Sequence, residues 1–476
     1  MTRPHRADVC VLGGGPAGSV AALRLAALGY EVCLVERSPF PRRRVGESLT
    51  SGIWPLLDEM GLRGRVEDAG GFPSAEAMVE WAGKRVDRIG MVGRGAGLLV
   101  DRGRFDALLL AAAMARGVRT MQPAAARRVR RVEGGVRVEV AGEAGPCEIE
   151  ARFVVDASGR GGVIRGRRMF TGAPTTALHA YLRGEGLPRI TQVEAGDDAW
   201  YWGAPLPDGT FSAMVFVDKE AAGEARGGRL EEVYRRWLGQ SRLLGGCAGV
   251  AIDGEMRAHE ATPYVDVESV GLSSLKIGEA AIALDPLSSS GVELSMRTAV
   301  VGSAAVHTML SRVEDTRVAA DFYAELLRES SALHAAWAAE HYRGQLGASA
   351  RSFWRTRVAA AEAHAGAPAG GAPRLVEDLG SGPLLERRVR LAREVELVET
   401  GCLVGDFIES RRALRHPAFA RPVAFVEGVE VGPLLGAVGE GTTLGDIVRR
   451  WAPRVPLRIG LRVAGWMLGH GVVIAA

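Results

Sequence analysis

Lysine is nearly missing from this chain. Lys84, Lys219 and Lys276 are the only three among 59 basic residues, so any chemistry that needs a lysine amine has few places to sit. Cysteine is sparse too. Cys10, Cys33, Cys147, Cys247 and Cys402 are odd in number, scattered and without CxxC spacing, which argues against a disulfide framework or a cysteine metal site. Two of them fall in apolar runs that read as buried strands, so reduced thiols in a cytoplasmic protein are expected. A surplus of one charge is also lacking. A net charge of +3 over 476 residues offers no argument for nucleic acid or an anionic membrane. No apolar run approaches the ~20 residues of a membrane span, so no stable insertion is expected. The first motif begins so early that no room is left for a secretory leader. What remains is ordinary globular composition, 47% hydrophobic and 24% charged, at a length that implies two or three domains.

The most informative stretch is Gly13-Gly14-Gly15-Pro16-Ala17-Gly18, because of its flanks. Asp8 to Leu12 reads as a buried strand, Ser19 to Leu28 as a helix, and Glu31 to Val35 as a second strand ending in Glu36. Gly13 and Gly15 permit a tight turn and close approach of backbone to a pyrophosphate, and Gly18 permits close helix–strand packing. The helix N-terminus offers N–H groups to phosphate, and Glu36 can accept a ribose hydroxyl. That context, more than the glycines alone, points to a dinucleotide.

Further along come a basic loop, Pro41 to Leu49, and mixed apolar and polar runs from Phe72 to Leu99 that look like strands. Asp101 to Asp106 leads into an Ala/Leu-rich helix. Arg127 to Val140 reads as a hairpin around Gly134-Gly135, and Phe153 to Gly159 as a strand entering a polar turn. Ala177 to Glu260 is β-rich with a turn at Pro207-Asp208-Gly209. Residues 317 to 362 look helical, and Ala365 to Pro373 reads as a linker.

Four separated elements coincide: the glycine motif, Gly46-Glu47-Ser48, Asp156-Ala157-Ser158-Gly159, and Gly278-Glu279-Ala280 followed by Asp285-Pro286. Over about residues 7 to 345 the set resembles the FAD-dependent monooxygenases of the para-hydroxybenzoate hydroxylase fold. More narrowly, it is similar to the branch of flavin-dependent halogenases and their non-halogenating, lysine-free relatives, such as tryptophylquinone-maturation flavoproteins. The resemblance implies an α/β fold: a Rossmann-like FAD-binding domain, an inserted β-sheet substrate domain and a mainly helical C-terminal module. On this plan FAD-binding parts occupy 1–75, 101–176 and 266–345, the last with a connecting helix. Substrate parts occupy 76–100 and 177–265, a helix and linker 346–374, and a helical or winged-helix-like module 375–476. It further implies that FAD is held by Gly13, Gly15, Ala17, Gly18, Glu36, Arg44, Glu47, Ser48 and Arg102. The later residues Gly278, Glu279, Asp285, Pro286, Ser289, Ser290 and Gly291 complete the set. Glu279 stands where the family has aspartate, one methylene longer.

Trp200-Tyr201-Trp202-Gly203-Ala204-Pro205 resembles the WxWxIP motif of flavin halogenases, with Ala204 in place of isoleucine. Two tryptophans at period two also make ordinary sheet packing, so the motif marks the branch and not the reaction. In phenol and pyrrole halogenases a lysine follows a Gly-Phe pair. In the matching stretch, Gly71 to Trp81, that position is Ala75, and a methyl group can neither hydrogen-bond hypochlorous acid nor form a chloramine. Halogenation is therefore disfavoured. The resemblance implies hydroxylation of an electron-rich aromatic ring through a flavin C4a-hydroperoxide, with molecular oxygen as co-substrate. Reduced flavin would come from NAD(P)H directly or from a partner flavin reductase. The aromatic substrate is a small molecule or a side chain of a peptide or protein.

Trp200, Trp202 and His179 are the candidates on the substrate side; a single strand histidine is more often structural, and His259 and Glu260 rank below it. No metal-ligand spacing emerges. Open alternatives are a halogenase with a displaced lysine, a flavin-dependent reductase or dehydrogenase, and a non-catalytic flavoprotein binding subunit. Val431 to Ala476 reads as two helices with a strand-like end, similar either to a helical cap or to a small winged-helix peptide-binding module.

Overall fold

The computed structural model describes residues 5–69, 76–86, 97–143, 145–223, 228–365, 382–419, 421–439 and 441–476. They divide into two units, one within 1–307 and 323–366, the other within 308–322 and 367–476.

The first unit is built on a sheet of mostly parallel strands. β1 (His5–Leu12), α1 (Pro16–Ala27) and β2 (Val32–Val35) form the opening βαβ unit, with β1 and β2 parallel and Cys10 opposite Cys33. Gly145–Asp156 lies parallel to β1 on its other side, Ser274–Lys276 lies beyond that, and Arg119–Met121 lies beyond β2. Strands covered on both faces need apolar runs, and Val9, Cys10 and Val11 are wholly buried. The hairpin Ala124–Val132/Gly135–Gly142 turns at Glu133-Gly134 and adds to this sheet through Gly145–Asp156.

A second sheet carries Thr175–Arg183 between Phe211–Asp218 on one side and Ala251–Ile252 and Arg257–Glu260 on the other. Beyond Phe211–Asp218 come Trp200–Pro205, Thr191–Ala195, Ala77–Trp81 and Lys84–Val86. The turn at Pro207-Asp208-Gly209 joins two of these strands, with Gly209 at φ +80°. Two helices, Thr316–Leu346 and Ser352–Glu362, account for the helical stretch after the nucleotide motifs. Of the halogenase-like stretch, Gly71 to Ala75 lies outside the described residues, as does most of the linker.

The C-terminal unit departs from the mainly helical module expected. Leu444–Trp451, Leu457–Gly469 and the closing strand Val473–Ala475 match the reading of two helices and a strand-like end. They are joined by a sheet in which Arg388–Leu391 lies between Thr442–Thr443 and Val473–Ala475. A long hairpin, Glu396–Val404/Phe407–Arg415, turns at Gly405-Asp406 with Gly405 at φ +59°. Charged and apolar residues interleave along that hairpin at a short period, a two-faced strand pattern that overall composition conceals. Val389, Val431, Ile447, Trp451, Val463 and Met467 form the core.

Candidate functional site: a dinucleotide cleft walled by an aromatic sheet

The glycine turn is shaped by contact as well as by dihedral. Gly13 has φ +103°, and a Cβ there would lie 2.5 Å from the Ala157 carbonyl oxygen. A Cβ on Gly18 would lie 1.8 Å from the Gly13 carbonyl oxygen, so helix and turn pack as closely as the sequence suggests. No side chain caps α1, which starts at Pro16 after Gly15, and its first turn holds no acid to compete with a phosphate. Glu36 is 5% exposed and accepts from Gly14 N at 2.6 Å and Ser38 N at 2.8 Å.

The basic loop is held from below. Arg102 grips Asp106 through Nε at 2.9 Å and Nη2 at 3.1 Å, and donates Nη1 to the Val45 carbonyl at 2.7 Å. A guanidinium so occupied fixes the backbone before Glu47. Asp106 itself was not singled out in the sequence; its signal was the i,i+4 spacing from Arg102. Asp156, fully buried, accepts from the backbone N–H groups of Ser158, Val163 and Ile164 and so orders the polar turn. Glu279 meets Arg160 at 3.3 Å, which gives the longer acid a partner. Asp285 caps the turn after it through Leu287 N and accepts from Tyr342. Ser289 has φ +54°, an uncommon left-handed conformation for a non-glycine residue.

These pieces line one cleft of about 750 Å³. Gly13, Gly15, Ala17, Glu36, Arg44, Glu47, Ser48, Arg102, Glu279, Asp285, Pro286, Ser289 and Gly291 all face it, as do Trp200 and Trp202. Gly18, Gly278 and Ser290 stand outside its lining; a Cβ on Gly278 would press Ala17 Cβ at 2.8 Å.

Register explains the substrate-side wall. Trp200 faces Phe216, which faces Ala177, which faces His259; Trp202 faces Met214, which faces His179, which faces Arg257. Trp200 stacks on Phe216 with centroids 3.6 Å apart and planes at 3°, and Trp81 meets Trp200 edge-on. His179 thus lies on the expected face but not on the cleft surface. It is 2% exposed, its Nε2 lies 3.1 Å from Ser212 Oγ, and burial pushes its pKa down to about 3. Alternation gives the face of a residue, not the depth of cover above it. The histidine lining the cleft is His259, whose pKa is lowered by burial and by Arg44 and Arg257.

None of the three lysines lines the cleft. Lys84 is exposed beyond the Ala82-Gly83 turn, Lys219 is exposed beside Glu260, and Lys276 is buried in an ion pair with Asp266 at 2.7 Å. Among the described residues no cluster of acids, histidines and cysteines suits a metal, and no helix is long and apolar enough to cross a membrane. The donor set fits FAD: an uncapped helix end and arginines for the pyrophosphate, a carboxylate for ribose, and a shaped cleft for the ring.

Residues 8–177 match the family model described as FAD dependent oxidoreductase. Over 343 residues the chain is 32% identical to a tryptophan 2-halogenase of Chondromyces crocatus, covering 68% of this chain and 65% of that protein, just under two thirds of its length. A solved peptidyl tryptophan dihydroxylase, essential for tryptophylquinone cofactor biogenesis, superposes with a TM-score of 0.76 at 24% identity, over 98% of this chain and 99% of the other. The flavin-dependent halogenase CmlS superposes with a TM-score of 0.77 at 22% identity, over 100% and 96%. Over residues 8–177 the chain is thus similar to FAD-dependent oxidoreductases, and over most of its length it resembles flavin-dependent halogenases in sequence and a peptidyl tryptophan dihydroxylase in fold.

Proposed function

We propose that this oxidoreductase is a monooxygenase that hydroxylates an electron-rich aromatic ring. The observation that carries the reading is a cleft wall of Trp200, Trp202, Phe216 and Met214 with no lysine on it. Bound FAD, once reduced, supplies the oxygen-activating chemistry. The chain's own residues do the rest. Glu36 accepts from the ribose, and the open end of α1 with Arg44 receives the pyrophosphate. Arg102 keeps the loop before Glu47 in shape, while Glu279, Asp285, Pro286 and the Ser289–Gly291 turn shape the far side. The aromatic wall orients a flat substrate and excludes water.

The substrate is a small aromatic molecule or an aromatic side chain of a peptide or protein. Likeness of fold to the peptidyl tryptophan dihydroxylase over almost the whole chain supports the second source. Reducing equivalents come from NAD(P)H directly or through a partner flavin reductase, and molecular oxygen is the co-substrate. Five unpaired cysteines suit a cytoplasmic setting.

Kinship with a tryptophan 2-halogenase favours halogenation as a second reading. Mass analysis of products from aromatic substrates, with reduced FAD, oxygen and chloride or bromide present, separates the two. Gain of one oxygen is expected. Incorporation of halogen would establish the second reading, and flavin reoxidation without product would point to a reductase or a binding subunit.

A further inference from the structure

Glu47 stands on a seam. It belongs to the basic loop that follows Pro41, yet two of its donors come from the second sheet. Tyr181 and Ser212 each donate a hydroxyl to Oε1 at 3.1 Å, while Gly46 N reaches Oε2 at 2.8 Å. Glu47 is 1% exposed and lines the cleft; Ser212 is fully buried behind it. The series continues, because Ser212 Oγ lies 3.1 Å from His179 Nε2. Ser212 has one proton and gives it to Glu47, so His179 Nε2 carries the hydrogen and donates to the serine oxygen. The Tyr181 ring meets the His179 ring in a T-shaped contact at 4.5 Å, which holds the imidazole in place.

We propose that Ser212 and His179 are positioning residues for Glu47, acting in series to fix its carboxylate as an acceptor on the cleft wall where the loop meets the substrate sheet. The inference rests on the flavin reading of the cleft. Burial pushes the Glu47 carboxyl up on balance, against its own backbone N–H, the Gly46 N–H, the Tyr181 hydroxyl and the Arg102 guanidinium. Arg43 lies over the Tyr181 ring at 4.9 Å, and Tyr181 itself is pushed up by burial and by Glu47, so it stays a donor. Ser212 adds one more donor to the charged form. His179 cannot take the proton from Glu47, because burial, His259, Arg257 and Arg43 all disfavour its cation. The arrangement is a positioned carboxylate and not a shuttle. In its ionised form such a carboxylate favours N–H donors in the cleft and opposes added negative charge on reduction, holding a bound flavin's potential down.

The test uses the full chain with and without FAD. Infrared pH titration follows the carboxyl band that Glu47→Gln removes. Ser212→Ala is expected to move that titration to higher pH, and His179→Phe to move it the same way by less. His179→Gln, which keeps a donor, restores most of the effect. With FAD, Ser212→Ala weakens binding on the order of tenfold. Glu47→Gln raises the flavin midpoint potential, and Ser212→Ala adds nothing further in that background. An unchanged carboxyl titration in Ser212→Ala, or full additivity with Glu47→Gln, overturns the proposal. Failure of the unaltered protein to bind FAD overturns the flavin reading instead, and the FAD-free titration still decides whether Ser212 acts on Glu47.

Discussion

Tyr342 donates its hydroxyl to both carboxylate oxygens of Asp285, at 2.9 and 2.8 Å. The two are 57 residues apart in sequence, and the contact ties the Asp-Pro turn of the cleft to a helix with no motif of its own. Burial and the neighbouring carboxylate push the tyrosine far up, so it remains a donor.

Tyr342→Phe therefore leaves a buried carboxylate with less than it needs. The expected loss is about 1–3 kcal/mol of stability, with weaker FAD binding because the turn loosens. Thermal denaturation and flavin fluorescence titration measure the two effects. An unchanged melting temperature would mean that Asp285 finds another donor.

Gly13→Ala tests the turn. Its Cβ would approach the Ala157 oxygen to 2.5 Å at a φ of +103°, so backbone must shift. Strain of roughly 1–3 kcal/mol should appear as FAD affinity lower by tenfold or more. Equilibrium dialysis would show it, and affinity equal to the unaltered chain would contradict the geometry.

Lys276→Met breaks a buried pair. Among the described residues Asp266 would keep only the Glu268 N–H as a partner, which costs about 3–5 kcal/mol, whereas replacing both ionic partners with apolar residues should recover much of it. Denaturant unfolding of the single and double variants gives the comparison. Neither variant should change which atom is added to the substrate, since Lys276 does not reach the cleft.

Acid sensitivity follows from His179. Its folded value of about 3 lies below the ordinary 6.5. The stability it confers is complete above about pH 6.5 and drains as pH falls toward 3, because the unfolded chain takes a proton the folded one refuses. The slope is about 1.4 kcal/mol per pH unit. Melting temperature against pH should flatten over this window in His179→Phe; an unaltered slope would assign the acid loss elsewhere.

Local features were legible in the sequence and distant ones were not. Gly13, Gly18 and Glu36 lie within one βαβ unit, where spacing alone dictates geometry. The buried places of Cys10 and Cys33 followed from strand patterns. Period two put Trp200 and Trp202 on one face, as found. Its place in the β-rich region made His179 a candidate, but nothing local could say that it lies behind Ser212 while His259 lines the cleft. Tyr342 carried no motif, since the acid it serves is reached only on folding, whereas the signal of Asp106 was its i,i+4 spacing from Arg102. The hairpin Glu396–Arg415 was hidden because its exposed arginines and glutamates resemble those of a polar helix.

The order of strands in the first sheet bears on how the protein is made. β1 needs Gly145–Asp156 on one flank, and that strand needs Ser274–Lys276 on its own. A ribosome adding about 5–20 residues per second takes tens of seconds to travel from the glycine turn to that last strand. Through that interval the nascent chain carries its phosphate loop without the strand that closes the sheet or the serine turn that finishes the cleft. The complete cleft is thus a late product of synthesis, and the first half emerges with an open sheet edge.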